Sequence, residues 1–392
     1  MIKWIGRLLH VGFWLAVVLI VLMIAFPLAM PYVYQHGGYP SGRFATAISV
    51  LEKLQNVSMH IFAWSWIFFL GGCFASFLNV VAWRVPRGKS ILGSSHCPQC
   101  DIRLGLRSNI PVFGWFRNDG KCANCDLPIP PRYVLAEIIL GSAFLILFLR
   151  ETISGGVTIP AWLSKEAGIE FVLLKPKIDL LLLLGQHLTL LAVLFAFALV
   201  RSEKMPIPVS VWGVTVLLGV AFFCVPAFGG MLDWRIGTLR WLPLGVETLI
   251  GVGCGIAAAI GAASLLSFSR LDSIQQAFWS YSLVGIFLGW QSTLSVLAIH
   301  LVLSVLAIVV SDISSAMRNG EFFQTISSPS AMVFWATLIH FCCWKQQRLL
   351  SFWPGPGCNL FAMIFSIAIA AGIAGAIRNY NGPVAATAEA SP

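Results

Sequence analysis

An all-α polytopic membrane protein of about 8–10 transmembrane helices, with one small polar module inserted between helices, is what this sequence predicts. Three observations predict it. Of 392 residues, 58 % are hydrophobic and only 10 % charged, with a mean hydropathy of +0.85, against an apolar share of roughly 45–50 % in soluble globular domains. The apolar residues fall into runs near the roughly 20 residues that cross a bilayer as a helix. One stretch, Arg84 to Arg132, stands apart as polar, with eight Lys/Arg against three Asp, a net +5.

Taken in order, residues 8–33 form an apolar run behind Lys3 and Arg7. The run is longer than the roughly 7–15 apolar residues of a signal peptide and has no clear small-residue cleavage site, which predicts an uncleaved anchor with a cytoplasmic N-terminus. Residues 34–58 read as an external loop, and the chain is expected to re-enter the membrane near His60. A second span covers about 60–83. By the positive-inside rule the basic stretch that follows is cytoplasmic. Further spans are expected at 133–149, 179–200, 207–228, 242–268, 330–344 and 358–377, with a mixed-charge external loop over 150–178. Residues 277–310 are too long for one span, and Gly289-Trp290-Gln291 offers a turn, so a hairpin of two short helices is expected there. Gly and Ala enrichment over 242–268 is the composition of a closely packed helix. Arg201-Ser202-Glu203-Lys204 and Arg270-Leu271-Asp272 return to the face that carries the basic stretch. No internal repeat is evident.

The formal net charge of +9 is explained by Lys and Arg held in loops on one side of the membrane. No basic helix or aromatic-basic platform accompanies it, so lipid, and not nucleic acid, is the expected surrounding.

Inside the polar stretch lie two Cys-x-x-Cys pairs, Cys97 with Cys100 and Cys122 with Cys125. Each turn presents two thiolates, and the loop between them lets both face one ion, which fits a structural tetrahedral zinc site. Two disulfides are the alternative, and a cytoplasmic, reducing location weighs against them. His96 adjoins Cys97 but is a poor fifth ligand for a closed four-thiolate site. Cys73, Cys224, Cys254, Cys342, Cys343 and Cys358 lie in or beside apolar runs and read as small core residues.

The run from Gly72 to Val81 (Gly-Cys-Phe-Ala-Ser-Phe-Leu-Asn-Val-Val), Arg84-Val85-Pro86, His96-Cys97-Pro98-Gln99-Cys100, Asn109-Ile110-Pro111-Val112-Phe113-Gly114-Trp115, Gly120-Lys121-Cys122, Cys125, Pro128-Ile129, Arg132-Tyr133 and Glu137 resembles the N-terminal region of the type IV prepilin leader peptidases. That resemblance implies an integral protein of the bacterial cytoplasmic (inner) membrane, with the zinc module facing the cytoplasm. It implies prepilin or pseudopilin substrates, or pilus and secretion assembly proteins, as partners. It also implies S-adenosylmethionine as methyl donor for N-methylation. The family cuts leaders with two membrane-embedded aspartates, one acting as base on water while the other, protonated, polarises the scissile carbonyl.

The resemblance then breaks. Arg201 stands at the first aspartate's place, where a permanently protonated guanidinium cannot act as a base. Counting back from Gly285-Ile286-Phe287-Leu288-Gly289 puts Ala277 at the second. Glu203 and Asp272 are the candidate substitutes; the plainer reading makes each a paired interfacial charge, Glu203 beside Arg201 and Lys204, Asp272 beside Arg270. The expected function is therefore that of a prepilin-peptidase homologue without proteolysis. The alternatives are an active peptidase using non-standard carboxylates and a protein that only methylates. Glu137 is either an interfacial charge or the family's recurring acidic residue. Asn79 and the membrane histidines His187, His300 and His340 read as hydrogen-bonded within the bundle. The organisation expected is an anchor and external loop over 1–59, a peptidase-like region over 60–150 with the zinc module at 84–132, a degenerate membrane bundle over 179–310, and extra spans with a tail over 311–392.

Overall fold

The computed structural model describes residues 42–153, 168–224, 244–266, 271–313, 328–347 and 372, leaving out 94, 98, 106, 107, 169 and 174. The expected spans at 8–33 and 358–377 and the C-terminal tail lie outside the described residues.

All long elements are helical: α1 (Gly42–Arg84), the single turn α2 (Phe113–Arg117), α3 (Arg132–Phe148), α4 (Ile178–Ser202), α5 (Val209–Cys224), α6 (Leu244–Leu265), α7 (Leu271–Ile313) and α8 (Pro329–Gln347). Among the described residues four helical stretches are long and apolar enough to cross a membrane: Asn56–Arg87, Arg132–Thr152, Ile178–Ser202 and Leu271–Ala307. Shorter apolar helices occupy Val209–Gly219, Leu249–Ser264 and Pro329–Trp344. The molecule is a polytopic membrane protein.

Two expectations need correcting. The segment expected as an external loop up to residue 58 is helical from Gly42 onward and continuous with the second span. Its Ala45, Ala47, Leu51, Glu52, Lys53, Leu54 and Gln55 are strong helix formers, and no proline follows Pro40 to interrupt them. The loop expected from residue 150 begins later, because α3 runs on through a π-turn at Leu149–Ile153, and Glu151 is fully buried there.

The hairpin expected around Gly289 is present. Gly289 takes φ 76° and ψ −179° inside α7, a region open essentially to glycine alone. The Tyr281 hydroxyl lies 2.7 Å from His300 Nδ1, whereas 19 residues of straight helix would hold them about 28 Å apart. The chain must therefore double back, and Leu271–Ala307 is two shorter helices that meet at Gly289, not one continuous span.

Packing follows composition. The central helix α4 buries Leu190, Leu191, Leu194, Phe197 and Val200 almost completely, as expected of a helix apolar on every side. Gly251 and Gly255 on α6 lie directly against the backbone of Gly285 and Tyr281 on α7, the small-xxx-small contact that lets two membrane helices meet without side chains between them. Gly71 of α1 meets Gly141 of α3 in the same way, fixing the two helices from which the polar module hangs.

Candidate functional site

The module between α1 and α3 is built from two copies of one turn. In the first, Cys97 N–H donates to the Ile102 carbonyl, Asp101 N–H to Cys97, and Leu104 N–H to Ser95; in the second, Cys122 N–H donates to Leu127, Asp126 N–H to Cys122, and Ile129 N–H to Gly120. Every partner is shifted by 25 residues. The flanking bridges, His96 with Arg103 and Lys121 with Pro128, keep the same offset, and Asp101 and Asp126 share a positive φ of 53° and 56°. A short internal repeat therefore exists, contrary to expectation; sequence identity hides it because only the cysteines and the aspartates after them recur, while hydrogen bonds define the rest.

The repeat brings four sulfurs together. Cys97 and Cys122 are buried, Cys100 and Cys125 half-buried, and all four Sγ atoms lie within 4.8 Å of one another. Cys97 Sγ is 3.6 Å from Cys125 Sγ, and Cys100 Sγ is 3.9 Å from Cys122 Sγ. Both separations are far too long for disulfides and close to the roughly 3.8 Å between sulfurs of a tetrahedral ion with about 2.3 Å metal–sulfur bonds. The four thiols could thus hold a metal ion. Backbone amides prepare them unequally. The Cys100 thiol is pulled down to about 6, first by the Ile102 amide and then by the Asn124 side chain. Cys122 is lowered by the amides of Asn124 and Cys125. Cys125 gains from the Leu127 amide, yet burial and the three neighbouring thiols push it up to about 12. Four adjacent thiolates without a cation repel one another.

Trp115 supports the second turn: its indole Nε1 donates to the Ile129 carbonyl at 3.0 Å, and its ring lies where a side chain at Gly120 would stand. Just before it, Phe113 N–H donates to Pro111 across a γ-turn centred on Val112, at φ 63° and ψ −56°. For a β-branched residue this conformation is strained. It is held by Glu137 on α3, whose Oε2 accepts the Val112 N–H at 2.7 Å, while the Ser76 side chain on α1 bonds the same carboxylate. Glu137 thus ties the module to both flanking helices. Asn79, one turn along from Ser76, has a buried Nδ2 without a partner among the described residues.

At the end of the bundle next to the module, Glu203 accepts from Arg87 at 3.0 Å and from Arg132 at 2.7 Å. These arginines flank the module on α1's exit and α3's entry, and Arg87 is further fixed by donating to the Trp83 carbonyl and stacking on its ring. Arg201 pairs with Asp272 at 3.6 Å. Glu203 and Asp272, the two candidate carboxylates, are therefore both placed on this face, and both are ion-paired. Ala277, one and a half turns along α7 from Asp272, is fully buried. Sequence reasoning expected local partners for these acids. It missed Arg87 and Arg132, whose only signal was their position at the two ends of the polar stretch.

A helical membrane protein carrying a four-cysteine module between two of its helices is the class these features define. Residues 69–151 match the model of the bacterial peptidase A24 N-terminal domain. Over 79 residues the chain is 43 % identical to a prepilin leader peptidase/N-methyltransferase of Myxococcus xanthus, covering 20 % of this chain and 24 % of that one. It is 33 % identical over 118 residues to a type 4 prepilin-like proteins leader peptide-processing enzyme of Escherichia coli (24 % and 44 %). It is 38 % identical over 93 residues to a prepilin leader peptidase/N-methyltransferase of Klebsiella pneumoniae (22 % and 41 %). Through this region the chain is similar to the type IV prepilin peptidases. The matched stretch spans less than half the length of these relatives. No solved structure matches it.

Proposed function

We propose that this chain is a prepilin-peptidase homologue of the bacterial inner membrane that does not cut, and that its cysteine module is a zinc-held platform on the cytoplasmic face for prepilins, pseudopilins or their assembly proteins. The observation that carries the reading is the ion pairing of both candidate carboxylates. Hydrolysis by a carboxylate pair needs one free base and one protonated acid close together. Glu203 is bound by two guanidinium groups and Asp272 pairs with a third, so neither carboxylate stands free to act on water or opposite the other as its acid. Arg201, the residue at the first aspartate's place by resemblance, is itself one of the partners.

Zinc fits the four sulfurs by their separations. Bound by Cys97, Cys100, Cys122 and Cys125, it would join the two turns and leave no open position for substrate, which makes its contribution one of folding. The net +5 of the stretch supports the cytoplasmic placement. S-adenosylmethionine, implied by the resemblance as methyl donor, has no binding residues assigned among the described ones.

The test is co-expression of a type IV prepilin with this chain in a host lacking its own prepilin peptidase. The prepilin should stay full-length and co-purify with the chain, and co-purification should be lost in Cys97→Ser. A shortened pilin that disappears in Asp272→Ala would overturn the reading in favour of unconventional catalysis.

A further inference from the structure

At the end of the bundle away from the module, four elements converge on buried polar groups that the proposed function does not use. The π-turn after α3 supplies Arg150 and Glu151, α4 supplies His187, α7 Ser295, and α8 His340 and Gln347. His187 Nδ1 lies 2.6 Å from Glu151 Oε1, with side-chain exposures of 3 % and 0 %. The other carboxylate oxygen, Oε2, is buried without a partner among the described residues. Phe341 stacks on His187 with ring centres 4.4 Å apart, and on the same helix His340 bonds the Ser295 hydroxyl at 2.9 Å and Gln347 at 3.1 Å. The Arg150 guanidinium donates to the Cys342 carbonyl.

We propose that Glu151 and His187 form an intramembrane proton-binding site. An ionisable pair sealed inside a membrane bundle is costly and is a functional feature by default, and π-turns inside helices gather at such places. In this proposal the resting site is neutral: the charges of Arg150 and Glu151 cancel, and the His187 imidazole is uncharged and donates its Nδ1–H to Oε1. One proton from water then adds to His187 Nε2, and the imidazolium formed faces the carboxylate it already bonds. No bond to carbon changes and no electron is transferred. Among the described residues, the other titratable groups near the pair are Arg150, His340 and Cys342; none is an acid that would compete for the place of Glu151.

Full-length chain with ¹⁵N-labelled histidine, in lipid nanodiscs, tests this by NMR from about pH 8 to about pH 5, the window in which imidazole changes charge. The ring nitrogens of His187, assigned by their loss in His187→Gln, should pass from the neutral to the charged pattern. The change should vanish from that window in Glu151→Gln and persist in Glu151→Asp, which keeps the charge if the amide variant fails to fold. A His187 signal that keeps one pattern across the window in the wild-type chain, or an identical titration in a folded Glu151→Gln protein, overturns the proposal.

Discussion

The cysteine module and the charged face of the bundle beside it hold their polar groups in opposite ways. In the module four thiols converge within 4.8 Å of one another with no side-chain cation among them, an arrangement that could hold a metal ion. On the charged face the carboxylates of Glu203 and Asp272 are already matched by Arg87, Arg132 and Arg201. A site shaped for a metal gathers like groups that only a cation matches, whereas a site turned over to structure matches its charges internally. The first describes the region shared with the prepilin peptidases, and the second the region where the resemblance breaks.

The largest effect that can break this contrast is the loss of one of the four thiols. If the module is completed by zinc, Cys97→Ser should abolish bound metal and leave residues 84–132 open to protease. Apparent binding energies of structural zinc, about 10–16 kcal/mol in isolated fingers, are folding energy. Metal analysis of the purified protein with limited proteolysis checks both. A protease-resistant module without metal would mean that its hydrogen bonds and Trp115 suffice.

On the opposite side of the contrast, Glu203→Gln removes the anion that joins both ends of the module to α4. The arginines are 30 % and 44 % exposed, so water recovers part of the loss, and the expected destabilisation is about 1–2 kcal/mol, below the range for fully buried charged bonds. A lowered thermal midpoint in detergent, with metal content unchanged, is the result expected. Loss of metal along with it would show that the clamp and the module are one unit.

How much of this was legible in the sequence follows from the range of the interactions involved. Apolar runs identify helices because hydrophobicity is local, and the Cys-x-x-Cys pairs identify a joint site because each turn is closed by neighbours. Glu203 looked like a charge paired within its own loop because its partners lie 116 and 71 residues away in a different hairpin. Glu151 looked like part of an external loop because Arg150-Glu151 is polar in composition. It pairs with His187, 36 residues on, a membrane histidine whose need for a hydrogen-bond partner was legible while the identity of that partner was not. The Val112 turn was silent for another reason: a β-branched residue gives no hint of positive φ, and only the carboxylate of Glu137 makes that conformation tenable.

That turn provides a smaller test. Val112→Gly removes the steric conflict at φ 63° without touching the amide that Glu137 accepts. Relief of strain should raise stability by about 1 kcal/mol, net of the greater chain entropy of glycine, when the strain lies toward the upper part of the usual range of about 1–3 kcal/mol. A higher thermal midpoint is expected, and a lower one would show that the valine side chain packs more usefully than its backbone is strained.

The smallest effect belongs to Arg201→Ala, and its smallness is informative. Asp272 is 57 % exposed and 3.6 Å from its partner, so the pair is worth about 0–1 kcal/mol, and added salt should weaken it further within a Debye length of about 8 Å at physiological ionic strength. Stability should therefore barely change, while Asp272 is freed. With Glu203 still clamped, only one carboxylate becomes available, and one cannot serve as both acid and base. The variant should leave a co-expressed prepilin uncut, like the wild-type chain. If Arg201→Ala alone produced a shortened pilin, the arginine would be a lock on a working site and not the mark of a lost one.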